Sequence, residues 1–402
     1  MLRLFLLAVV SLAVCNISAF PALSAASTNE PANEPGDKFD AKVRLFDTHF
    51  KELLTKNKIP GGAYAILRGG KIYKIQTYGQ RKKGETAKVN ADTVFRWASV
   101  SKTFAGALTA KLVEEKKLGW NEPVTKFVPG FQLKKRGHTS GVQLRHLLSH
   151  SAGIIPNAYD NYLEDGWSVD KIIPRFKRVN PICSPGNCYG YQNIVFSLIE
   201  PAIETRTGQT YKDLIEQEFI TPLKMKTASI GYDGFKASSN RALPHVKTRR
   251  GWRSTRVTPN YYEIAPAAGA NGSITDLAKW VEAQMVHDEN ILPLSVVNTV
   301  TNKRVRTKKE LYKRDWRDYL ADAHYGYGWR IYDFGDDTLV FHGGGVTGYR
   351  SNVAYAPDHG IGHVILLNAE TRLINDLSIK FWSDMLGDPK KTVRLKKIQQ
   401  GR

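Results

Sequence analysis

A serine and a lysine three residues apart, at the head of an unusually apolar helical run, constrain this chain more than any other feature. The segment reads Phe95-Arg96-Trp97-Ala98-Ser99-Val100-Ser101-Lys102-Thr103-Phe104, and its apolar pattern continues through Ala107, Leu108 and Leu112 until Gly119. A helix that apolar belongs in the interior, between two packed lobes. Three residues carry an α-helix through almost a full turn and advance it by about 4.5 Å. The Lys102 ammonium is thereby placed over the Ser99 hydroxyl on one face. A serine hydroxyl is a poor nucleophile until a neighbour takes its proton, and a nearby lysine lowers that cost electrostatically or acts as the base. At the mouth of a helix Ser99 also has free backbone N–H groups and the positive dipole end beside it, which favour a developing oxyanion. The tetrapeptide alone is equally compatible with a plain helix cap at Ser99 and an exposed Lys102.

Two further segments decide between these readings. Ser184-Pro185-Gly186-Asn187-Cys188-Tyr189-Gly190-Tyr191-Gln192-Asn193 is a Pro-Gly turn that delivers a Y-x-N element into the apolar run Ile194–Ile199. Phe341-His342-Gly343-Gly344-Gly345-Val346-Thr347-Gly348 is a strand end that dissolves into glycines. S-x-x-K, then Y-x-N, then H-x-G in that order resembles the serine β-lactamase and penicillin-binding-protein superfamily. Within it the chain is similar to the class C β-lactamase-related branch, which also holds D-alanyl-D-alanine carboxypeptidases, D-aminopeptidases and esterases. Leu144-Arg145-His146-Leu147-Leu148-Ser149-His150-Ser151-Ala152-Gly153, Pro222-Leu223-Lys224-Met225 and Gly272-Ser273-Ile274-Thr275-Asp276-Leu277-Ala278-Lys279-Trp280 match further stretches of that branch. The likeness covers most of the chain.

The resemblance implies a role for each motif residue. Ser99 is the nucleophile, Lys102 shares its proton, and Tyr191 is the general base, a phenolate stabilised by two neighbouring cations. Tyr189 lacks the asparagine two positions on and is set aside. Asn193 holds Lys102 and a substrate amide oxygen together. The backbone N–H groups of Ser99 and Gly345 form an oxyanion hole, and His342, Gly343 and Gly344 border the substrate, glycine allowing the strand edge to approach closely. His342 departs from the class C pattern, which has lysine there. An unperturbed imidazole is mostly neutral at pH 7, so His342 is expected to grip a substrate carboxylate only near pH 5.5–6. His146 and His150 are four apart, but no glutamate lies between them and no third ligand is evident, so both read as structural. No metal or cofactor is implied.

The amino terminus predicts a secretory signal over residues 1–26: Arg3, an apolar stretch from Leu4 to Val14, then small residues around Ala25-Ala26. This implies a periplasmic or secreted protein, with retention as a membrane anchor as the alternative. Cys183 and Cys188 then remain as an even pair in an oxidising compartment, either as a short disulfide loop presenting Tyr191 or as two thiols. The formal charge is +20, and the excess clusters at 247–256, 303–317 and 390–402. Anionic envelope polymers are the partners such clusters fit in an exported protein, and solvated basic faces are the plainer reading. No nucleic-acid motif is visible, and oligomeric state is not legible.

Alternation and turn signals predict a helix over 43–54, a hairpin of Ala63–Leu67 with Ile72–Tyr78 through Gly69-Gly70, and late strands at 327–332, 339–341, 352–355 and 363–368. A closing helix spans about 372–386. The expected fold is α/β (α+β): an antiparallel sheet flanked by helices, with a mostly helical lobe inserted. The expected organisation is a flexible leader over 27–42, a hydrolase domain over 43–387 (43–125 and 265–387 the α/β lobe, 126–264 the helical lobe) and a basic tail over 388–402. The expected function is an exported serine hydrolase acting on a D-amino-acid peptide or amide, or a small ester. The alternatives are a class C-like β-lactamase and a non-catalytic protein that binds cell-wall peptides.

Overall fold

A computed structural model describes residues 36–399; the expected signal segment lies outside the described residues. Eight strands form one antiparallel sheet: β1 Gly61–Arg68, β2 Lys71–Gly79, β3 Val305–Arg306, β4 Leu320–Tyr325, β5 Arg330–Phe334, β6 Asp337–Val346, β7 Tyr349–Ala356 and β8 Ile361–Leu367. Their order across the sheet is β2-β1-β8-β7-β6-β5-β4-β3. The amino-terminal hairpin therefore docks beside the last strand, pairing Ala63 with Leu366 and Ala65 with Val364.

Both faces of the sheet are covered, and the period-two pleat sorts the side chains between them. Ala63, Ala65, Leu67, Val364 and Leu366 face a core shared with α2 (Ser101–Glu114) and α3 (Ile274–Val286). Tyr64, Ile66, Ile365 and Leu367 face the other core, against α1 (Gly36–Lys56) and α4 (Leu373–Leu386). The helical lobe is built of short helices between 136 and 237, continuous with the first of these cores.

Three expectations change. The helix at the amino terminus begins at Gly36, because Phe39 and Val43 extend the buried stripe of Phe46, Phe50 and Leu54; residues 36–42 are thus helical rather than leader. The strand expected over 327–332 runs from Arg330 to Phe334, since Gly328 turns the chain with φ +86°. Strand β4 and a hairpin of His245–Thr248 with Gly251–Ser254 inside the helical lobe had no clear sequence signal. The basic tail forms a helix, Lys390–Gln399, buried at Val393; its Lys397 donates to the Arg317 carbonyl, which brings two basic clusters side by side. Cys183 and Cys188 are joined in a disulfide. Among the described residues, no helix is long and apolar enough to cross a membrane.

Candidate active site

Ser99 stands in a tight turn, Ala98–Val100, just before α2, rather than in the helix itself. The preceding Ala98 is fully buried with φ +49°, a left-handed conformation that costs a non-glycine residue about 1 kcal/mol or more. Surrounding bonds hold it there. Ser101 Oγ donates to the Ala98 carbonyl at 2.6 Å and accepts from the Ala270 N–H at 2.9 Å. Ser351 Oγ donates to the Trp97 carbonyl at 2.6 Å, tying the turn to β7.

Lys102 is fully buried, and its Nζ lies 3.4 Å from Ser99 Oγ. The amine also contacts Asn193 Oδ1 at 2.7 Å and the Ala267 carbonyl at 3.1 Å. Two donations to carbonyl oxygens use both hydrogens of a neutral amine and leave its lone pair for the serine hydroxyl. Burial drives the Lys102 ammonium well below its ordinary range; Asp160 opposes this and Arg330 adds to it. Asp160 reaches the lysine only through Asn193, whose Nδ2 donates to Asp160 Oδ2 at 2.6 Å. One of the two Asn193 N–H donors is thus spent on Asp160, leaving one for a substrate oxygen.

Tyr191 lies half-buried beside this pair, its ring 4.8 Å from Lys102 Nζ. Burial pushes its phenol up to about 12, against the pull of Arg330 and of a hydrogen bond with Ser99. Burial thus favours the protonated phenol over the phenolate expected from the sequence. His150 carries this segment: its Nδ1 accepts from the Gln192 N–H at 3.1 Å, its carbonyl accepts from Gly190, and its ring packs 4.2 Å from that of Tyr191. His146 Nδ1 accepts from the Gln143 N–H and caps a helix. Tyr189 packs against His150 and Tyr325 instead.

Strand β6 passes directly beside the nucleophile. Any Cβ on Gly344 would stand 2.3 Å from the Trp97 carbonyl and 3.1 Å from the Ser99 nitrogen, so only glycine permits the approach. Strand β5 pairs with β6 no further than Phe341, which leaves one edge of His342–Val346 without a strand partner. Gly343–Gly345 border an open polar cleft of about 690 Å³ that includes Glu164, Tyr261 and Arg350. That edge, with the exposed Gly345, is where the sequence places the second oxyanion donor.

His342 does not present a cation to this cleft. It is fully buried, with Nε2 2.9 Å from the Tyr325 hydroxyl and Nδ1 3.0 Å from the Gly343 carbonyl. Burial, Arg330 and Lys102 hold its imidazolium well below the ordinary range, so the charge expected near pH 5.5–6 does not form there.

The permanent cation comes from a residue that carried no motif. Arg330, on β5, has a side chain 12% exposed, with its guanidinium carbon 5.4 Å from the Tyr191 ring. It pairs with Glu310 at 2.8 Å, and Glu310 also accepts from Tyr332 and Lys313. Burial opposes the Glu310 charge, but Arg330 and Lys313 outweigh it and hold the carboxyl below its ordinary range.

A serine, a buried lysine against it, a tyrosine and an asparagine on a neighbouring turn, and a glycine strand edge come together in one site. The chain belongs to the beta-lactamase family, whose model matches residues 46–376. Protein flp of Staphylococcus aureus (strain MRSA252) is 26% identical over 345 residues, covering 82% of this chain and 64% of the relative. The unguisins hydrolase ungD' of Aspergillus campestris is 24% identical over 352 residues, covering 85% of this chain and 63% of the relative. The chain thus spans just under two thirds of the length of these relatives. In fold it is similar to the octameric penicillin-binding protein homologue from Pyrococcus abyssi: the TM-score is 0.76 at 23% identity, covering 89% of this chain and 80% of that one.

Proposed function

We propose that the protein hydrolyses a D-amino-acid peptide or amide, or a small ester, through an acyl-Ser99 intermediate, and that it does so outside the cytoplasm. The observation that carries this reading is the Lys102 amine, buried without an ion pair among the described residues and 3.4 Å from the Ser99 hydroxyl. Lys102 takes the Ser99 proton as Oγ bonds the substrate carbonyl carbon, and the carbonyl electron pair moves to oxygen. The N–H groups of Ser99 and Gly345 receive that oxyanion. Tyr191, protonated at rest, gives its proton to the departing nitrogen or oxygen and is refilled from the Lys102 ammonium. Water then adds to the acyl carbon, losing its proton to the same relay, and Ser99 leaves with a proton restored.

An extended amide fits the unpaired edge of His342–Val346 by strand addition, which favours a peptide-like substrate. The Aspergillus relative, an unguisins hydrolase, agrees with hydrolysis as the activity class. The basic clusters are proposed as contacts for anionic envelope polymers. The test is intact mass after exposure to a fluorophosphonate and to a penicillin. A single fluorophosphonate adduct, lost in Ser99→Ala, is expected. An adduct that survives the substitution removes Ser99 as the nucleophile, and a Ser99-dependent penicillin adduct that turns over within minutes moves the reading to a β-lactamase.

A further inference from the structure

A further cavity lies at the opposite end of the sheet from Ser99. Ser351 on β7 holds the nucleophile turn, whereas Tyr355, four residues along and about 13 Å away at strand rise, lines this second cavity. Its volume is about 960 Å³, at the top of the range of small-molecule sites. Its walls are the end of α3, the helix Leu294–Thr301, the hairpin turn Gly69-Gly70 and the turn after β7.

Three polar side chains at its lining, Gln284, Tyr355 and His287, carry buried atoms with no partner within the protein. Gln284 is fully buried, and neither its Oε1 nor its Nε2 makes a hydrogen bond within the protein. The Tyr355 hydroxyl, 2% exposed, is likewise unsatisfied. An unmet buried polar group costs about 1–3 kcal/mol, so the unmet atoms of Gln284 and Tyr355 at one cavity favour an occupant that meets them. Gln284 offers a donor and an acceptor and Tyr355 either, the complement of a carboxamide. Met285, Val297 and Leu294 supply apolar wall, with His287, Asn298 and Thr301 as further polar groups, and at the mouth Leu294 and Val286 remain 45% and 48% exposed. The charges at the mouth are net acidic: Lys71 lies 3.8 Å from Glu282, and Asp358 adds a second carboxylate to the lining. A carboxylate finds no unpaired cation there.

We propose that this cavity is a second binding site, separate from the catalytic one, for a neutral amide-headed molecule with an apolar chain, its amide held by Gln284 and Tyr355.

Octanamide is the probe, measured by calorimetry on the full chain after Ser99 has been blocked with a fluorophosphonate, so that the catalytic cleft does not contribute. Saturable one-to-one binding is expected, about tenfold weaker in Gln284→Leu, where about 1.4 kcal/mol of hydrogen bonding is lost. Octanoate is expected to bind at least tenfold more weakly than octanamide. Leu294→Trp, which narrows the mouth on an exposed side chain, is expected to abolish binding while ester turnover stays unchanged. No saturable binding of octanamide, or equal binding by wild type and Gln284→Leu, overturns the proposal. A Gln284→Leu protein that is more stable and a wild type that binds neither probe identify the occupant as water and also overturn it.

Discussion

Arg330 donates to Glu310 across 2.8 Å, and this buried pair sits behind the ring of Tyr191 rather than on the protein surface. A guanidinium there is charged at every working pH, and Tyr191 feels it directly. The lysine of the related K-T-G element is replaced here by His342, a neutral imidazole, while the neighbouring strand supplies the charge. The pair separates stability from rate. Arg330→Gln leaves the buried Glu310 with Lys313 as its remaining cation and is expected to cost about 1.5–3 kcal/mol of stability, with acylation slowed by one to two orders of magnitude. Adding Glu310→Gln is expected to recover the melting temperature but not the acylation rate. Recovery of both assigns the pair a purely structural role.

Lys102 as base predicts the shape of the pH profile. Its active form is the neutral amine, and burial lowers its protonation well below 10.5, so acylation by a neutral ester rises with pH through that lowered value and then levels off. Lys102→Ala is expected to lose at least about 100-fold in acylation together with the rising limb. Tyr191→Phe is expected to lose a similar factor with the limb kept, and Tyr189→Phe very little. Stopped-flow acylation rates against pH decide this; a limb that disappears in Tyr191→Phe instead returns the base role to the tyrosine.

His342 makes the opposite prediction to the one its sequence position invites. With both ring nitrogens engaged and its protonation suppressed, it adds no charge to the cleft between pH 5.5 and 8. The ratio of penicillin to neutral-ester acylation rates is expected to stay flat over that range. A ratio that climbs toward pH 5.5 shows an imidazolium reading the carboxylate.

Acid sensitivity follows from the buried histidines. His146 and His363 are each lowered to about 4, in both cases chiefly by burial. Between that value and 6.5 the unfolded chain binds more protons than the folded one, so stability falls as pH falls. The contribution is complete above pH 6.5 and is lost toward pH 4, on the order of 3 kcal/mol per group. Urea midpoints at pH 7 and pH 4.5 measure it, with His363→Asn expected to flatten the difference. An unchanged difference removes His363 from the account.

Gly106 lies within α2, where alanine is ordinarily favoured by about 1 kcal/mol. Here a Cβ would meet the Tyr327 carbonyl oxygen at 2.1 Å, and one on Gly328 would meet the Lys102 carbonyl at 2.2 Å. Gly106→Ala is therefore expected to lower the melting temperature by several degrees despite its better helix propensity. A gain in stability shows that the segment Tyr325–Trp329 yields to the helix.

The sequence by itself determined the sheet, its flanking helices and the motif residues Ser99, Lys102, Tyr191 and Asn193. Apolar runs along β1 and β8, apolar spacing in α1 and α2 and glycine turns are local signals, and each is written in consecutive residues. Tertiary structure decided the electrostatics. Arg330, Glu310 and Asp160 lie in no recognisable pattern, yet across 20 to 170 residues of chain they meet around Lys102 and Tyr191. The same is true of His342, whose position in the motif is legible but whose burial against Tyr325 is not. Sequence spacing fixes which side chains share an element. Whether a buried amine or imidazole carries its proton depends on the desolvation and charges brought by every element packed around it, and those are known only once the chain has closed on itself.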